Sequence, residues 1–239
     1  MYELTYQGPS GRVWPLMSRD AIGLFVEEGS MEDGFTGGPG QQVTGTLRCT
    51  IRDHAGVPAD KRWREFRRDW SRHAEGVLHL KRNNVALRLP CRASAVPPGP
   101  RMNPGEVPVM RAHVPVSSRE GVEAWLEARS QAGSSVPVTN SGDTFVWPKI
   151  WWQGAGGNVT LPSGAIFTLP PTDEPRIIML NPDESAAVVD ERDRLDDPLW
   201  RLIRGAVFGE GVPVGEERTY GLPDGAELAW DLGHYDPWR

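Results

Sequence analysis

The side chains that most often perform chemistry are scattered along this chain instead of being grouped. No two histidines have the spacing of a helical metal site, and none belongs to a cluster with cysteine. The chain has no Gly-x-Ser-x-Gly nucleophile elbow, and Gly154–Gly157 lacks the lysine of a phosphate-binding loop. The sequence therefore predicts a protein that is not an enzyme and that holds no metal or cofactor.

The carboxylates leave one catalytic alternative open. The chain has 32 Asp and Glu residues, and two of them could converge in the folded C-terminal half, as in a hydrolase that cuts cell-wall glycans. Nothing in the sequence marks such a pair. The test of this hypothesis is whether two acids share a cleft at a separation that suits glycoside chemistry.

The segment Phe145–Gln153 is the most informative group of side chains because it is rich in large aromatic rings. In a strand, successive side chains point to opposite faces of the sheet. The two faces then carry Phe145, Trp147 and Trp151 on one side, and Val146, Ile150 and Trp152 on the other. One apolar face must meet the domain core, and the other needs cover from another domain, another subunit or a ligand.

Two kinds of partner could cover the second face. A sugar would stack on exposed rings of Trp147 or Trp151, whereas a protein would bury them. We favour a protein, because tryptophan anchors protein interfaces and no polar sugar-binding groups flank the strand. Trp147, Trp151 and Trp152 are therefore candidates for core or interface residues.

One helix is strongly predicted, from about residue 58 to residue 74. Trp63, Phe66 and Trp70 recur at helical spacing and form an apolar stripe, which predicts core packing against a sheet. Its other faces are rich in arginine. They form either a solvated face or a subunit contact, since arginine is enriched at interfaces. The candidates for subunit-contact charges are Arg62, Arg68 and Arg72.

Composition narrows the class of protein. The chain has 239 residues and a net charge of −6, which argues against a protein whose main task is to hold nucleic acid. No apolar run approaches the roughly 20 residues of a membrane span, so membrane insertion is not expected. The first residues lack the basic and apolar regions of a signal peptide, so we expect synthesis in a cytoplasm.

The N-terminal half has clear strand patterns. Apolar and polar residues alternate from Val43 to Arg52 and again from Val85 to Arg92, which indicates half-buried strands. A run at Val77–Leu80 leads through a polar tip into the second strand and predicts a hairpin. Cys49 and Cys91 fall on the apolar faces, where they are best interpreted as small buried hydrophobic residues.

The chain is expected to form two domains. A Pro-rich linker at 97–108 separates an N-terminal sandwich (1–96) from a C-terminal one (109–239). Ser117 and Glu120 fit a capping box for a short helix over Ser118–Arg129. Beyond residue 136, strand-sized runs alternate with Gly, Pro and Asn turns, which predicts an antiparallel sandwich or jelly roll. The predicted fold class is therefore mainly β.

Several motifs resemble those of the distal tail proteins of long-tailed phages, also called minor tail or baseplate hub proteins. The run Val138–Gly154 has the Asn-x-Gly turn, the Trp-Pro strand and the Gly-rich turn of that family. The ending Tyr235–Trp238 is similar to the closing motif of members from phages of actinobacteria. The order of strand, single helix and hairpin in the N-terminal half is compatible, whereas the helix expected over 118–129 departs from the family's plan.

The resemblance implies a structural role in the virion tail. Members form a ring, usually of six copies, between the tail tube and the tip or receptor-binding proteins. Their N-terminal sandwiches close the ring, and their C-terminal galectin-like sandwiches project as attachment points. The tape measure protein and DNA pass through the lumen without specific binding. The alternative function is a carbohydrate-binding module that contacts the host cell envelope.

Overall fold

The computed structural model describes residues 2–21, 23–31, 35–97 and 106–238. The chain divides into two compact units. Unit 1 comprises Met1–Leu126 together with Tyr235–Arg239, and unit 2 comprises Glu127–His234. Within the described residues, no helix has the length and apolar character needed to cross a membrane.

Unit 1 is built from antiparallel strands and a single helix. Its elements are β1 (Tyr2–Gln7), β2 (Val13–Met17), β3 (Leu24–Val26), β4 (Phe35–Gly38), β5 (Gln41–Arg52), α1 (Ala59–Asp69), β6 (Gly76–Arg82), β7 (Val85–Ala93) and β8 (Val109–Ser118). The hydrogen-bonded strand order is β2-β1-β6-β7-β8-β5, and β3 and β4 both pair with β5. The strands predicted around Cys49 and Cys91 are thus β5 and β7, and the predicted hairpin joins β6 to β7.

The predicted boundary at the Pro-rich linker is wrong. Strand β8 follows residues 97–108 directly, yet it pairs with β5 in nine successive positions, from Thr44–Ser117 to Arg52–Val109. Backbone hydrogen bonds along two long strands therefore fix β8 in unit 1. The Pro-rich composition predicted a stiff linker between domains, but strand pairing decides which unit a segment joins. Residues 98–105 of the linker lie outside the described residues.

The helix predicted over Ser118–Arg129 is also wrong. Strand β8 ends at Ser118, a turn follows, and strand β9 (Trp125–Ala132) begins in unit 1 and continues into unit 2. Ser118 Oγ accepts a hydrogen bond from the Val43 N–H at 3.0 Å and donates to the Val122 carbonyl. The hydroxyl therefore joins β5 to the turn instead of capping a helix.

Unit 2 contains two antiparallel sheets. Its further elements are β10 (Ser135–Thr139), β11 (Lys149–Gly154), β12 (Gly157–Thr160), β13 (Ile166–Leu169), β14 (Thr172–Met179), β15 (Val188–Val189), α2 (Asp197–Ile203), β16 (Glu217–Gly221) and β17 (Ala226–His234). One sheet has the order β15-β14-β11-β17, and the other has the order β10-β16-β12-β13. Buried side chains from both sheets form one core. The predicted mainly β, antiparallel sandwich fold is confirmed.

The aromatic segment forms a shorter strand than predicted. Strand β11 begins at Lys149, because Pro148 has no N–H to donate to a ladder. Just before it, Val146 exchanges both backbone hydrogen bonds with Val212, at 3.0 and 2.8 Å. The alternation nevertheless persists, since Val146, Ile150 and Trp152 are buried while Phe145, Trp147 and Trp151 are not.

The C-terminal segment returns to unit 1. Tyr235 donates its hydroxyl to Glu123 Oε1 at 3.3 Å, and Trp238 meets Tyr2 edge to face with ring centroids 5.1 Å apart. Trp238 also packs against the core of unit 1. The first and last described residues of the chain thus lie together.

Candidate interaction surfaces

The aromatic stripe of α1 lies in the core of unit 1. Trp63, Phe66 and Trp70 are 2%, 0% and 3% exposed. Phe66 stacks between the two indoles, with ring centroids 6.0 Å from Trp63 and 5.6 Å from Trp70. Trp14 of β2 meets Phe66 edge to face at 5.3 Å. The amphipathic spacing therefore places these rings against the sheet and leaves the arginine-rich faces outside.

Asp69, at the end of α1, fixes the polar tips of this aromatic cluster. Its Oδ2 accepts a hydrogen bond from Trp14 Nε1 at 2.7 Å, and its backbone carbonyl accepts one from the Tyr6 hydroxyl at 3.0 Å. Trp70 Nε1 donates to the Pro115 carbonyl of β8 at 3.2 Å. Burial raises the pKa of the Tyr6 hydroxyl, so it remains a donor. Satisfied polar tips let the rings of Trp14, Tyr6 and Trp70 be buried at little cost, whereas Trp63 Nε1 is buried without a hydrogen-bond partner among the described residues.

The three candidate arginines divide into two kinds. Arg62 is half-buried and lies against Gly23, where an added Cβ would be 2.7 Å from Arg62 Nε. Gly23 also has a φ of +87°, so both the conformation and the close approach require glycine. Arg68 and Arg72 are exposed and form no ion pair with any residue that the structure describes. Arg62 therefore packs within unit 1, whereas Arg68 and Arg72 are accessible to a partner.

In unit 2, the three candidate tryptophans lie on opposite faces of one sheet. Trp152 is buried, and its Nε1 donates to the Pro170 carbonyl at 2.9 Å. Trp147 and Trp151 are half-buried on the outer face. Phe145 is 43% exposed, and its ring centroid is 4.6 Å from that of Trp147. Trp152 is thus a core residue, and the other rings present an aromatic surface.

Trp151 begins an apolar row that crosses the outer face of this sheet. It pairs in register with Ile177, which pairs with Val189, which in turn forms a bridge with Leu195. Residues paired across antiparallel strands share a face. None of these residues belongs to the core cluster of unit 2. Within the row, however, Ile177 and Val189 are only 3% and 8% exposed, whereas Leu195 is 54% exposed, so the row reaches the surface at its two ends.

A cleft of about 680 Å³ opens beside α2 in unit 2. It is lined by Met179, Leu180, Asn181, Pro182, Ser185, Ala186, Trp200, Arg204, Gly205, Val207, Phe208 and Gly209. Arg204 is the one charged side chain of this lining, and its guanidinium lies over the Trp200 ring, 4.5 Å from the centroid. Residue spacing does not predict this cleft, because two separate segments of the chain, 179–186 and 200–209, form its lining.

The two hollows of unit 2 contain few groups suited to acid–base catalysis. The cleft beside α2 has no carboxylate in its lining. Asp224 and Glu227 line a separate hollow of about 240 Å³, but neither makes a hydrogen bond to another described residue that would orient it. Among the described residues, no group of three or more His, Cys, Asp or Glu could hold a metal ion.

The fold of this chain is similar to solved structures of phage tail proteins. The Dit protein (gp 19.1) of phage SPP1, described as a paradigm of the hub adsorption apparatus in phages that infect Gram-positive bacteria, aligns with a TM-score of 0.53 and 10% identity, covering 97% of this chain and 98% of that chain. Two structures of the activated baseplate of phage P2, with calcium and with strontium, align with a TM-score of 0.50 and 6% identity, covering 98% of this chain and 99% of theirs. No protein-family model and no curated protein matches the chain. At these identities the similarity concerns the fold.

Proposed function

We propose that this chain is a structural component of the tail tip of a long-tailed phage. In this role, identical copies, six as the motif resemblance implies, form a ring adaptor between the tail tube and the tip or receptor-binding proteins. The observation that carries the proposal is the fold similarity to the SPP1 Dit protein, which extends over 97% of this chain and 98% of that one. The Val138–Gly154 motif points independently to the same family.

Unit 1 is the ring-forming unit in this proposal. A closed ring needs two different patches on each copy, which meet head to tail. Unit 1 offers a basic patch at Arg68 and Arg72, which lack ion pairs among the described residues. It also offers strand β2, which ends the hydrogen-bonded strand order and exposes Val13. An open strand edge is a template for pairing with another chain.

Unit 2 is the attachment unit. Its outer sheet face presents Trp147, Trp151 and the exposed Phe145, and rings of this kind anchor protein interfaces. The adaptor acts by binding, and the proposal contains no catalytic step.

Assembly of the purified chain tests the proposal. Light scattering coupled to size exclusion, up to high micromolar concentration, should reveal a closed oligomer, and electron microscopy should show rings. We expect the double charge reversal Arg68→Glu with Arg72→Glu to weaken assembly. The matched control is Arg192→Glu, an exposed arginine of unit 2, which should assemble as the parent does. A strict monomer, together with the absence of this protein from purified virion tails, would overturn the proposal.

A second candidate function is sugar binding at the aromatic surface of unit 2. The exposed Phe145 ring beside Trp147 favours it, because such a pair offers a flat platform for a sugar ring. Titration of host cell-wall glycans into Trp147→Ala and Trp151→Ala should then show weaker binding with only a small loss of stability. Unchanged glycan binding in both variants, or loss of the oligomer instead, excludes this function.

A further inference from the structure

Hydrogen bonds within the chain hold one wall of the cleft beside α2 in place. Trp200 Nε1 donates to the Ser185 carbonyl at 2.9 Å. Helix α2 itself is capped by Asp196, whose Oδ1 accepts from the Leu199 N–H at 3.2 Å and whose Oδ2 accepts from Arg176 Nε at 2.7 Å. These contacts fix both the helix and the indole that faces the cleft. Preorganised walls reduce the entropy lost on binding.

A second part of the lining packs closely on the chain after β14 but leaves an aromatic ring uncovered. At Gly209 an added Cβ would overlap the Leu180 carbonyl oxygen, so the backbone of this wall lies directly on the end of β14. The neighbouring Phe208 is 68% exposed. A large exposed aromatic side chain beside a concave apolar surface is typical of a binding groove.

Arg204 gives the cleft a charge preference. Its guanidinium stacks on Trp200 and forms no ion pair with any described residue. It is also an isolated positive charge in an acidic unit, because residues 127–234 contain 8 Lys and Arg but 17 Asp and Glu, a net charge of −9. A stacked guanidinium keeps its N–H donors free to bind a carboxylate. The cleft therefore complements an apolar group that has a negative charge beside it.

The size of the cleft fits a short segment of protein. Its volume of about 680 Å³ lies within the range of roughly 300–1,000 Å³ that is usual for ligand sites. We propose that this cleft docks an extended segment of a partner protein, in which a large apolar side chain is flanked by carboxylates. This inference rests on the proposed function, because it assigns the attachment role of unit 2 to a particular surface.

Model peptides test the charge preference directly. The probes are acetyl-Glu-Phe-Glu-amide, acetyl-Lys-Phe-Lys-amide and acetyl-Glu-Ala-Glu-amide, added to the isotope-labelled full chain and followed by NMR. We expect the first peptide to bind most tightly and to shift the Trp200 indole and Arg204 Nε signals. Equal binding of the acidic and basic aromatic peptides, or shifts confined to other surfaces, would overturn the proposal.

A pair of matched variants isolates the role of Arg204. Arg204→Gln should weaken binding of the acidic aromatic peptide about threefold, as expected for an exposed charge pair. Arg201→Gln removes a charge from the same helix outside the cleft and should leave the affinity unchanged. Equal losses in both variants would show that only the overall charge matters, which contradicts the proposal.

Two other occupants are separate outcomes of this experiment. Shifts of the cleft signals that grow with protein concentration in the absence of peptide would identify a second copy of the chain as the occupant, and the proposal would fail. Ring assembly of the parent chain is measured in parallel by light scattering. Rings without peptide binding contradict this inference alone, whereas peptide binding by a strictly monomeric chain contradicts the proposed function alone.

Discussion

The ten tryptophans divide evenly between the two units, but the units use them in opposite ways. Unit 1 buries four and leaves only Trp238 half-buried. Unit 2 buries Trp152 alone, and its other four are half-buried: Trp147, Trp151, Trp200 and Trp230. Tryptophan therefore lies mainly inside unit 1, whereas in unit 2 four of the five rings are partly exposed, although Trp200 and Trp230 also pack against the core.

Charge separates the two units as clearly as the tryptophans do. Unit 2 has a net charge of −9, and the remaining 18 basic and 15 acidic residues give unit 1 a net charge of +3. Opposite net charges on two modules favour contact between unlike surfaces of neighbouring copies and oppose contact between two copies of unit 2. Net charge alone therefore does not favour contact between two copies of unit 1, and the proposed association through unit 1 must come from local patches such as Arg68 and Arg72.

The largest expected effect is on the core of unit 1. Trp63→Ala should lower the free energy of unfolding by about 3–5 kcal/mol, because it removes a buried ring that stacks on Phe66. The matched change in unit 2, Trp151→Ala, removes a half-buried ring and should cost only about 1 kcal/mol. Denaturant melts of both variants measure the difference. Similar losses of unfolding free energy in the two variants would contradict the view that unit 1 buries its tryptophans and unit 2 leaves them partly exposed.

The next largest loss of stability is expected at Asn140, a polar residue buried in unit 2. Asn140 is 1% exposed, and its Nδ2 donates to the carbonyls of Thr144 and Val212, both at 2.9 Å. Its Oδ1 accepts from the Gly142 N–H at 3.0 Å. Asn140→Ala leaves these backbone groups unpaired and should cost about 1–3 kcal/mol. Thermal unfolding measures the loss.

A control shows whether that effect comes from the hydrogen bonds. Asn158→Ala in β12 changes the same residue type at an exposed position, where its Oδ1 accepts only from the Thr168 hydroxyl. It should shift the melting temperature little. If both variants are equally stable, Asn140 does not organise the turn before β11.

The sequence predicted local elements well where one pattern determined them. Strand β5 follows directly from alternation, and helix α1 follows from the spacing of Trp63 and Phe66. The helix ends at Asp69 and not near residue 74 as predicted, because the backbone of Trp70, its C-terminal cap, is no longer helical. The segment Ser118–Arg129 fails because its local helix signal competes with strand pairing to distant residues, which no local pattern records. The boundary at 97–108 fails for the same reason.

The surfaces of unit 2 were only partly predictable. Alternation assigned Trp147 and Trp151 to one face and Trp152 to the other. The apolar row from Trp151 to Leu195 depends on the register of separate strands, which residue spacing does not fix. The cleft depends on Trp200 and Phe208 approaching from separate segments, so its residues were missed.

The two buried cysteines predict that the stability of unit 1 depends on pH. Burial, reinforced by the charge of Glu27, raises the pKa of the Cys49 thiol to about 12, and burial likewise raises that of Cys91 to about 12. Because the unfolded thiols ionise first, at a pKa of about 8.5, unit 1 should lose about 1 kcal/mol per thiol by pH 9. Stability is fully present below that pKa and falls as the pH rises toward 12.

Thiol labelling tests this prediction independently of stability. A thiol-specific disulfide reagent at pH 8 should leave both cysteines of the folded chain unmodified and should react with both in strong denaturant. Rapid labelling of the folded chain would show that the thiols are accessible, contrary to their complete burial.

The smallest effect lies at the acidic surface of unit 2. Hydrogen bonds lower the pKa of Asp190 to about 2, first from the Arg194 N–H, then from the Arg194 side chain and from the Arg192 N–H. This stabilisation is present above the unfolded pKa of about 4 and is lost as the pH falls toward 2. Asp190→Asn keeps an acceptor oxygen but removes the titration, so the melting temperatures of variant and parent should differ slightly at pH 7 and converge at pH 2. Glu191→Gln, an exposed neighbour with no hydrogen bond to a described residue, should match the parent at both pH values. If the difference between Asp190→Asn and the parent persists at pH 2, packing and not charge stabilises the loop after β15. Unit 2 would then depend on packed side chains at this surface, as unit 1 does in its core.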